Sequence, residues 1–384
     1  MFGSSHSSER IIAIADIGNG NAGIALVKIK KHEPARIIAS ERLSLPFEDR
    51  TSEAAARGIV TALGQVAEKI LAKHSSNDHK HMRIAGVYAV VHAPWALSKV
   101  VQARSSFSEE SRITNGMINA LAQQTIANSK ELDKSNLMES AVVRVELNGY
   151  PTSSPIGKTA HELSLAILVS QCDPQVKTGA EEALGRSFPG FKPVFRSAER
   201  TLMSVLRALP KSTEDYVLLD MQEEASDIIA VRGGLTVAQA VVHEGTHTIL
   251  KRLFEKGLPE ESLSLIRMLE RDECSTEACE AIKTAMAKTE IELSKTFGDT
   301  FIQIAVPLRL PADLILIAQA DLTPWLSRFF TRIDFTQCTV TAQPFSVHGL
   351  TSENLAPFAV YETDGTGDIG FVVAGALVNI EENA

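Results

Sequence analysis

Asp16 ends a run of apolar residues and is followed almost at once by Gly18, Asn19, Gly20 and Asn21. A turn that presents backbone N–H groups free of side chains can bind phosphate, and glycine permits both the unusual backbone angles and the close approach of a ligand. An aspartate at the end of such a strand is placed to hold the water shell of a magnesium ion. The segment therefore predicts a phosphate and magnesium site, with an ordinary hairpin turn rich in Asn and Gly as the alternative.

A second segment of the same kind lies much further along the chain. An apolar run ends in Asp220, and another apolar run begins after Ser226. The turn between them contains no glycine and carries Gln222, Glu223 and Glu224 instead. The sequence thus repeats a unit of strand, aspartate, turn and strand, and only the first copy keeps a turn that could receive phosphate without obstruction.

The elements that must position these residues can be read from hydrophobic patterning. Short β-branched runs predict three strands around the first unit, Ile11–Ala15, Gly23–Ile29 and Arg36–Leu43. Apolar residues at helical spacing predict a helix over 52–73. Strands over 217–220 and 228–231 flank the second turn, and the apolar residues 370–380 predict a packed terminal helix. Between the two units, residues 84–196 predict a compact α+β module.

The bulk properties limit the classes of function. A chain of 384 residues is too long for a single core and suits two to four subdomains. The net charge of −9 argues against a nucleic-acid partner, because phosphate binding needs a local excess of Lys and Arg. No apolar run approaches the ~18–20 residues of a membrane span, and the Ser-rich N-terminus does not resemble a signal peptide. We therefore expect a soluble, cytoplasmic protein.

Neither the cysteines nor the histidines form a recognisable metal motif. The spacing of the four cysteines fits no zinc site, and in a cytosolic protein they are expected to be reduced: Cys172, Cys274, Cys279 and Cys338. Three histidines and Asp78 lie within the polar stretch 74–81, where a hydrated loop is favoured over a metal site.

The second unit resembles the FtsA/PilM branch of the actin-like ATPase superfamily. The phosphate hairpin of that branch typically reads Asp-Ile-Gly-Gly-Gly-Thr-Thr-Asp-Ile, and it matches Asp220, Ser226, Asp227 and Ile228 here without gaps. The three glycines fall on the residues 222–224. Further on, Gly245 matches the second of a glycine pair that precedes a helix, whereas Glu244 replaces the first. In the adenosine motif, Ala318 and Gln319 replace the glycine pair.

The resemblance implies an α/β, actin-like (ribonuclease-H-like) fold of two lobes with an inserted small α+β domain. It implies the domain limits 1–83 for the first subdomain, 84–196 for the inserted domain and 197–384 for the second lobe, whose C-terminal segment returns to the first. It also implies ATP and Mg²⁺ as the cofactors to test, with Asp16 as the metal-binding residue and Asp16 and Asp220 as the catalytic residues if turnover is retained. The implied nucleotide-binding residues are Asp16, Gly18, Asn19, Gly20, Asn21, Asp220, Ser226 and Gly245.

The glutamates in the second turn make turnover doubtful. Two unit charges about 4 Å apart repel by roughly 4 kcal/mol at an effective dielectric constant near 20, and carboxylates that face a triphosphate would repel it in this way. The alternative is that Glu223 and Glu224 lie on an exposed turn with no ligand nearby. The lost glycines predict weak or absent ATP hydrolysis.

The function implied by the resemblance is that of a scaffold or adaptor in type IV pilus assembly or cell division. Such a protein binds a short segment of a membrane-protein tail or of a cytoskeletal filament, and it can self-associate into filaments. The acidic end of the chain, 378–384, is unlike a basic amphipathic membrane helix, so membrane attachment is expected to be indirect, through a partner at the inner face of the cell membrane. The alternatives are an active sugar kinase or phosphatase on the same fold, and a chance pair of hairpins in an unrelated α/β protein.

Overall fold

The computed structural model describes residues 9–383 except 47–49, 77–82, 211, 254–258, 276, 307 and 363–366, and it gives no side-chain detail for 259–262. The predicted hydrated loop falls on the histidine-rich stretch 74–81, most of which lies outside the described residues, and residues 1–8 of the polar N-terminus also lie outside them.

The elements follow one another as an alternation of hairpins and helices. The first segment forms strands β1 (Arg10–Ile17), β2 (Asn21–Ile29) and β3 (Ala35–Ser44), helix α1 (Ser52–Ser76) and strand β4 (Ile84–Val91). The next segment forms strand β5 (Ala96–Arg112), helix α2 (Asn115–Asn128), strands β6 (Leu137–Leu147), β7 (Tyr150–Pro151) and β8 (Thr159–Cys172), helix α3 (Pro174–Ser187), strand β9 (Val194–Ser197) and helix α4 (Ala198–Ala208).

The second half of the chain has more helices. It forms strands β10 (Tyr216–Met221), β11 (Ser226–Arg232) and β12 (Leu235–Val242), then helices α5 (Thr246–Leu253), α6 (Pro259–Glu270) and α7 (Glu277–Ala305). It ends with strand β13 (Asp313–Ile317), helix α8 (Thr323–Arg332), strand β14 (Ser346–Gly349), helix α9 (Ser352–Leu355), strand β15 (Ala359–Tyr361) and helix α10 (Ile369–Asn383). None of the helices in the described part of the chain is long and apolar enough to cross a membrane.

Three sheets organise these elements into two lobes and a module. The first lobe contains a six-stranded sheet of order β15-β3-β2-β1-β4-β9, and the second contains a five-stranded sheet of order β12-β11-β10-β13-β14. A four-stranded sheet of order β5-β8-β6-β7 forms the inserted module. The predicted limits 84–196 of this module are too wide, because β4 pairs with β1 and β9 pairs with β4 in the sheet of the first lobe. The strands of the small sheet lie within 96–172.

The alternation of side chains along β1, β4 and β10 explains how the two lobes face each other. In β1, Ile11, Ala13 and Ala15 enter the core under α1, whereas Ile12 and Ile14 enter a core shared with α4 and α10. Because successive side chains of a strand point to opposite faces, Asp16 lies on the second of these faces. Residues of β10 also enter the shared core, and Asp220 follows them on the same face. Both aspartates therefore point toward the interface between the lobes.

The cysteine prediction is half correct. Cys172 and Cys338 are free and buried, but Cys274 and Cys279 are joined in a disulfide that closes the connection between α6 and α7. The sequence spacing did not distinguish these two pairs.

Candidate functional site

The two aspartate turns are in direct contact, and Asn19 joins them. Its Nδ2 donates to the carbonyl oxygens of Ala93 and Ala225, each at 3.0 Å, and its Oδ1 accepts a hydrogen bond from the backbone N–H of Glu224 at 2.8 Å. Asn19 is buried. The backbone N–H of Glu224, which a phosphate-binding turn would offer to a ligand, is therefore bonded to a side chain of the opposite turn.

Glu223 packs against the glycine-rich turn instead of pointing to solvent. A Cβ atom placed on Gly20 would lie 2.6 Å from the Cβ of Glu223, which is closer than such atoms come in proteins. The Ser44 hydroxyl donates to Oε1 of Glu223 at 2.7 Å. Burial raises the pKa of the Glu223 carboxyl to about 7. Gly20 thus makes room for a side chain of the protein, at the position where the resemblance implied a phosphate.

The backbone N–H groups at the start of α5 also form hydrogen bonds within the protein. The backbone N–H groups of Thr246 and His247 donate to the carbonyl oxygens of Gln222 and Glu223, at 2.9 and 2.7 Å. A Cβ atom on Gly245 would lie 2.5 Å from the carbonyl carbon and oxygen of Glu223. Free N–H groups at a helix start are what an anion needs, and here turn carbonyls occupy them.

His92 links the two aspartates. Its Nε2 lies 2.8 Å from Oδ1 of Asp16, and its Nδ1 lies 2.8 Å from Oδ2 of Asp220. Carboxylates accept hydrogen bonds, so an imidazole that bonds two of them is best satisfied when both ring nitrogens carry protons. Burial by itself would lower the pKa of His92, but the charges of Asp16 and Asp220 outweigh it and raise the pKa to about 10. At neutral pH the site therefore contains a buried imidazolium between two carboxylates.

Each aspartate has a further partner. Gln222 Nε2 donates to Oδ1 of Asp220 at 2.8 Å, and Arg42 Nη2 donates to Oδ2 of Asp16 at 2.6 Å. Burial alone would raise the pKa of Asp16, but the positive charges of His92 and Arg42 lower it well below its usual range. Both oxygens of each aspartate are thus bonded to protein groups.

Arg42 extends this network to the C-terminal helix. Its Nε donates to Oδ2 of Asp368 at 2.5 Å, and its Nη1 donates to Oδ1 of Asn21. Burial would lower the pKa of Arg42, but Asp368 and Asp16 raise it above its usual value. Asp368 also accepts a hydrogen bond from the backbone N–H of Gly370 at 2.9 Å and so caps the start of α10.

The remaining predicted residues lie in the same region. Gly18 forms the tight turn, since its N–H donates to the carbonyl of Asn21 at 3.0 Å and its own carbonyl accepts from the Trp95 indole at 2.9 Å. The Ser226 hydroxyl donates to the carbonyl of Glu244 at 2.5 Å. All eight residues that the resemblance implied for nucleotide binding lie in the two turns, in the strand ends next to them or at the start of α5. The side chains of Asp16, Asn19, Asp220 and Ser226 all bond to other groups of the protein.

The site as a whole does not fit Mg²⁺ and ATP. A magnesium ion needs oxygen ligands that are free to bind it or its water shell, and both oxygens of Asp16 are bonded to the cationic groups of His92 and Arg42. The backbone N–H groups of Glu224, Thr246 and His247 are bonded to carbonyl and amide oxygens of the protein. Within the described ranges, no group of three or more His, Cys, Asp or Glu side chains could hold a metal ion.

A pair of buried carboxyl groups lies behind Asp220. Asp227 is the register partner of Asp220 in the β10–β11 hairpin, and it accepts hydrogen bonds from Gln239 Nε2 at 2.8 and 3.1 Å. Oε1 of Glu199 accepts a hydrogen bond from Thr236 at 2.5 Å, and Oε2 has no partner among the described residues. Burial raises the pKa of Glu199 to about 7, and burial together with Glu199 raises the pKa of Asp227 well above its usual value.

Three of the residues that fill the site were not predicted from the sequence: His92, Arg42 and Asp368. A signal existed for His92, because Tyr88 and Val90 enter the core between the lobes and His92 continues that alternation one residue after β4 ends. Arg42 and Asp368 gave no comparable signal, since their positions depend on how β3 and α10 pack around β1.

The arrangement of the lobes, with two aspartate hairpins facing each other across their interface, is that of an actin-like ATPase fold, as the sequence predicted. The chain is similar to a chain of the solved PilM-PilN type IV pilus biogenesis complex, with 15% sequence identity, a TM-score of 0.57 and coverage of 98% of this chain and 99% of that chain. No protein-family model matches the sequence, and no curated protein matches it.

Two further solved structures were also found. One is a Bacteroides thetaiotaomicron protein with an actin-like ATPase fold and unknown function, at 8% identity and a TM-score of 0.39, covering 98% of each chain. The other is the ethanolamine utilization protein EutJ from Carboxydothermus hydrogenoformans, at 9% identity and a TM-score of 0.41, covering 88% of this chain and 84% of that chain. The fold assignment rests on the PilM-PilN structure, because the other two TM-scores are too low to support an argument.

Proposed function

We propose that this protein is an actin-fold adaptor that neither binds nor hydrolyses ATP and that acts by binding a short segment of a protein partner. The observation that carries the proposal is His92, which bonds both aspartates at 2.8 Å and so brings a fixed positive charge to the place where the fold would otherwise hold a metal ion. An actin-like fold in which internal hydrogen bonds and ion pairs replace the cofactor keeps its shape and the surfaces through which it can bind a partner.

The likeness to the PilM-PilN complex supports a protein partner, because that neighbour is a component of a two-protein assembly. The partner would be a membrane protein with a short cytoplasmic segment or a filament subunit, and the protein would reach the inner face of the membrane through it. The kinase or phosphatase alternative needs a free catalytic carboxylate. In this protein Asp220, which would have to serve, is bonded to both His92 and Gln222.

Titration with a fluorescent ATP analogue in the presence of Mg²⁺ tests the first half of the proposal. We expect no saturable binding and no release of phosphate from ATP; tight binding with turnover would contradict it. Chemical crosslinking in the cells that make the protein tests the second half. The expected product is a specific crosslink to a membrane or filament protein, and reproducible recovery of the uncrosslinked monomer alone would count against an adaptor.

A further inference from the structure

Four of the large apolar side chains that the described residues expose to solvent lie together in one groove at the end of α7. They are Ile302 at 46% exposure, Val306 at 81%, Leu308 at 41% and Val340 at 52%. The groove has a volume of about 610 Å³. Single exposed apolar residues are ordinary on a protein surface, but a contiguous group in a concave site indicates binding.

The groove also carries a local positive charge. Arg232 and Arg309 line it, and its described lining residues include no carboxylate. Neither arginine forms an ion pair within the described part of the chain, although Arg232 donates a hydrogen bond to the carbonyl oxygen of Arg309. The carboxylate of Asp215 accepts a hydrogen bond from the N–H of Gly233, the residue after Arg232. In a protein with a net charge of −9, this groove is a place that an acidic ligand would favour.

Two backbone hydrogen bonds hold the floor of the groove together. The N–H of Leu310 donates to the carbonyl of Cys338, and the N–H of Val340 donates to the carbonyl of Leu310, each at 2.8 Å. Cys338 is buried beneath them. These bonds form an isolated bridge between Leu310 and Thr339, which ties the segment that carries Leu308 and Arg309 to the turn that carries Val340. Backbone that is already held in this way needs less ordering when a ligand binds.

We infer that this groove is a docking site for a short peptide segment of a partner protein in which apolar side chains are accompanied by Asp or Glu. The apolar side chains would enter between Ile302, Val306 and Val340, and the carboxylates would pair with Arg232 and Arg309. The groove is lined by nine of the described residues, whereas a stable protein–protein interface uses roughly 20–30 residues on each side. A short segment is therefore favoured over a second copy of this chain. The inference deepens the proposed adaptor function and rests on it.

Selection of a phage-displayed library of random short peptides tests the inference. The intact protein is the target, and the Val306→Asp variant serves for counter-selection. Val306 is at the surface, so the substitution leaves the core unchanged. We expect the enriched peptides to combine apolar residues with Asp or Glu, and their synthetic forms to bind the Val306→Asp and Arg309→Glu variants about tenfold more weakly than the wild type. Ile291→Asp is the matched control, because Ile291 is 73% exposed on α7 but does not line the groove.

Exchanging the charges of the peptide and of Arg309 distinguishes a lost binding contact from an unfolded variant. A selected peptide with Lys in place of its Asp or Glu residues should bind Arg309→Glu more tightly than the wild type, which an unfolded variant could not do. The inference is overturned if no peptides are enriched, if the enriched peptides lack acidic residues, or if they bind Val306→Asp as well as the wild type. A wild-type dimer in sedimentation velocity that Val306→Asp abolishes would also overturn it, in favour of a second copy of the chain. If the peptide selection fails but the cellular crosslink is still found, the docking site is wrong and the adaptor function stands. If the protein hydrolyses ATP, the adaptor function itself is contradicted.

Discussion

Nε2 of His92 lies 2.8 Å from Oδ1 of Asp16, so that a side chain from the loop after β4 neutralises the aspartate at the end of β1. The same ring bonds Asp220 of the other lobe through its second nitrogen. One imidazolium therefore pairs with a carboxylate from each lobe and joins the lobes. In this protein the interface between the lobes is closed by internal ion pairs.

Replacing His92 by Gln should destabilise the protein in a pH-dependent way. The folded-state pKa of about 10 lies above the ordinary value of 6.5, so the stabilisation is complete below about pH 6.5 and is lost as the pH rises through about 10. Breaking a buried ion pair typically costs about 3–5 kcal/mol, and we expect a loss of this order at pH 6. Chemical denaturation of wild type and variant at pH 6 and pH 10 measures the difference, which should shrink at the higher pH.

His348→Gln is the matched control for this experiment, because the side chain of His348 is 62% exposed. It should change the free energy of unfolding little at either pH. An equal loss for His92→Gln at pH 6 and pH 10 would contradict an imidazolium between the two aspartates.

Replacing Glu199 by Gln should stabilise the protein above neutral pH. Burial raises the pKa of Glu199 from 4.5 to about 7, so the folded protein holds this proton longer than the unfolded chain does, and stability falls as the pH rises from 4.5 through 7. Gln cannot ionise and keeps an oxygen that can accept the hydrogen bond from Thr236. We expect a gain of about 1–3 kcal/mol at pH 8 and little change at pH 4. Urea denaturation at the two pH values measures it, and the exposed substitution Glu182→Gln, which should have no effect at either pH, is the control.

Gly20 and Glu223 should be energetically coupled. Gly20→Ala places a methyl group about where the Glu223 side chain lies, so it should destabilise the wild type. In a Glu223→Gly background the two contacts at 2.6 Å are gone, and only Cγ of Glu224, at 3.2 Å, remains close to the methyl group. The expected coupling in a double-mutant cycle is about 1–3 kcal/mol. Gly64→Ala in α1, where an added Cβ meets nothing within 4 Å, should be neutral or stabilising. Additive effects of the two substitutions would show that Glu223 does not occupy this space in solution.

Restoring the glycines of the second turn should not by itself restore nucleotide binding. In the variant with Gln222, Glu223 and Glu224 all replaced by Gly, His92 and Arg42 still neutralise Asp16. We expect Mg²⁺-dependent binding of a fluorescent ATP analogue only when His92→Ala is added, because both aspartates are then released from the imidazolium. Fluorescence anisotropy compares the two variants after circular dichroism has confirmed that each is folded. Equal binding by both would show that the turn residues alone block the site.

Part of this site could be predicted from local sequence. The apolar runs before Asp16 and Asp220 define strands, and the two-residue period of a strand fixes the face on which each aspartate lies. The resemblance of the second unit to an actin-like phosphate hairpin predicted the fold, and the missing glycines predicted a turn unsuited to phosphate. The sequence left open whether Glu223 would face a ligand or solvent. In the structure it does neither, because Gly20 on the other hairpin admits it.

The rest of the site depends on residues that are distant in the chain. His92 meets Asp16 across 76 residues and Asp220 across 128, and Arg42 meets Asp368 across 326. The predicted limits of the inserted module were too wide for a similar reason. The sequence predicts that β4 and β9 are strands, but only their pairing assigns them to the sheet of the first lobe. The alternation of apolar and polar residues along a strand predicts which face is buried, but it does not predict which charged residue from a distant part of the chain will lie against that face. By itself the sequence determined the two aspartate hairpins and the fold that carries them, while the packing of the lobes decided that these aspartates are neutralised from within.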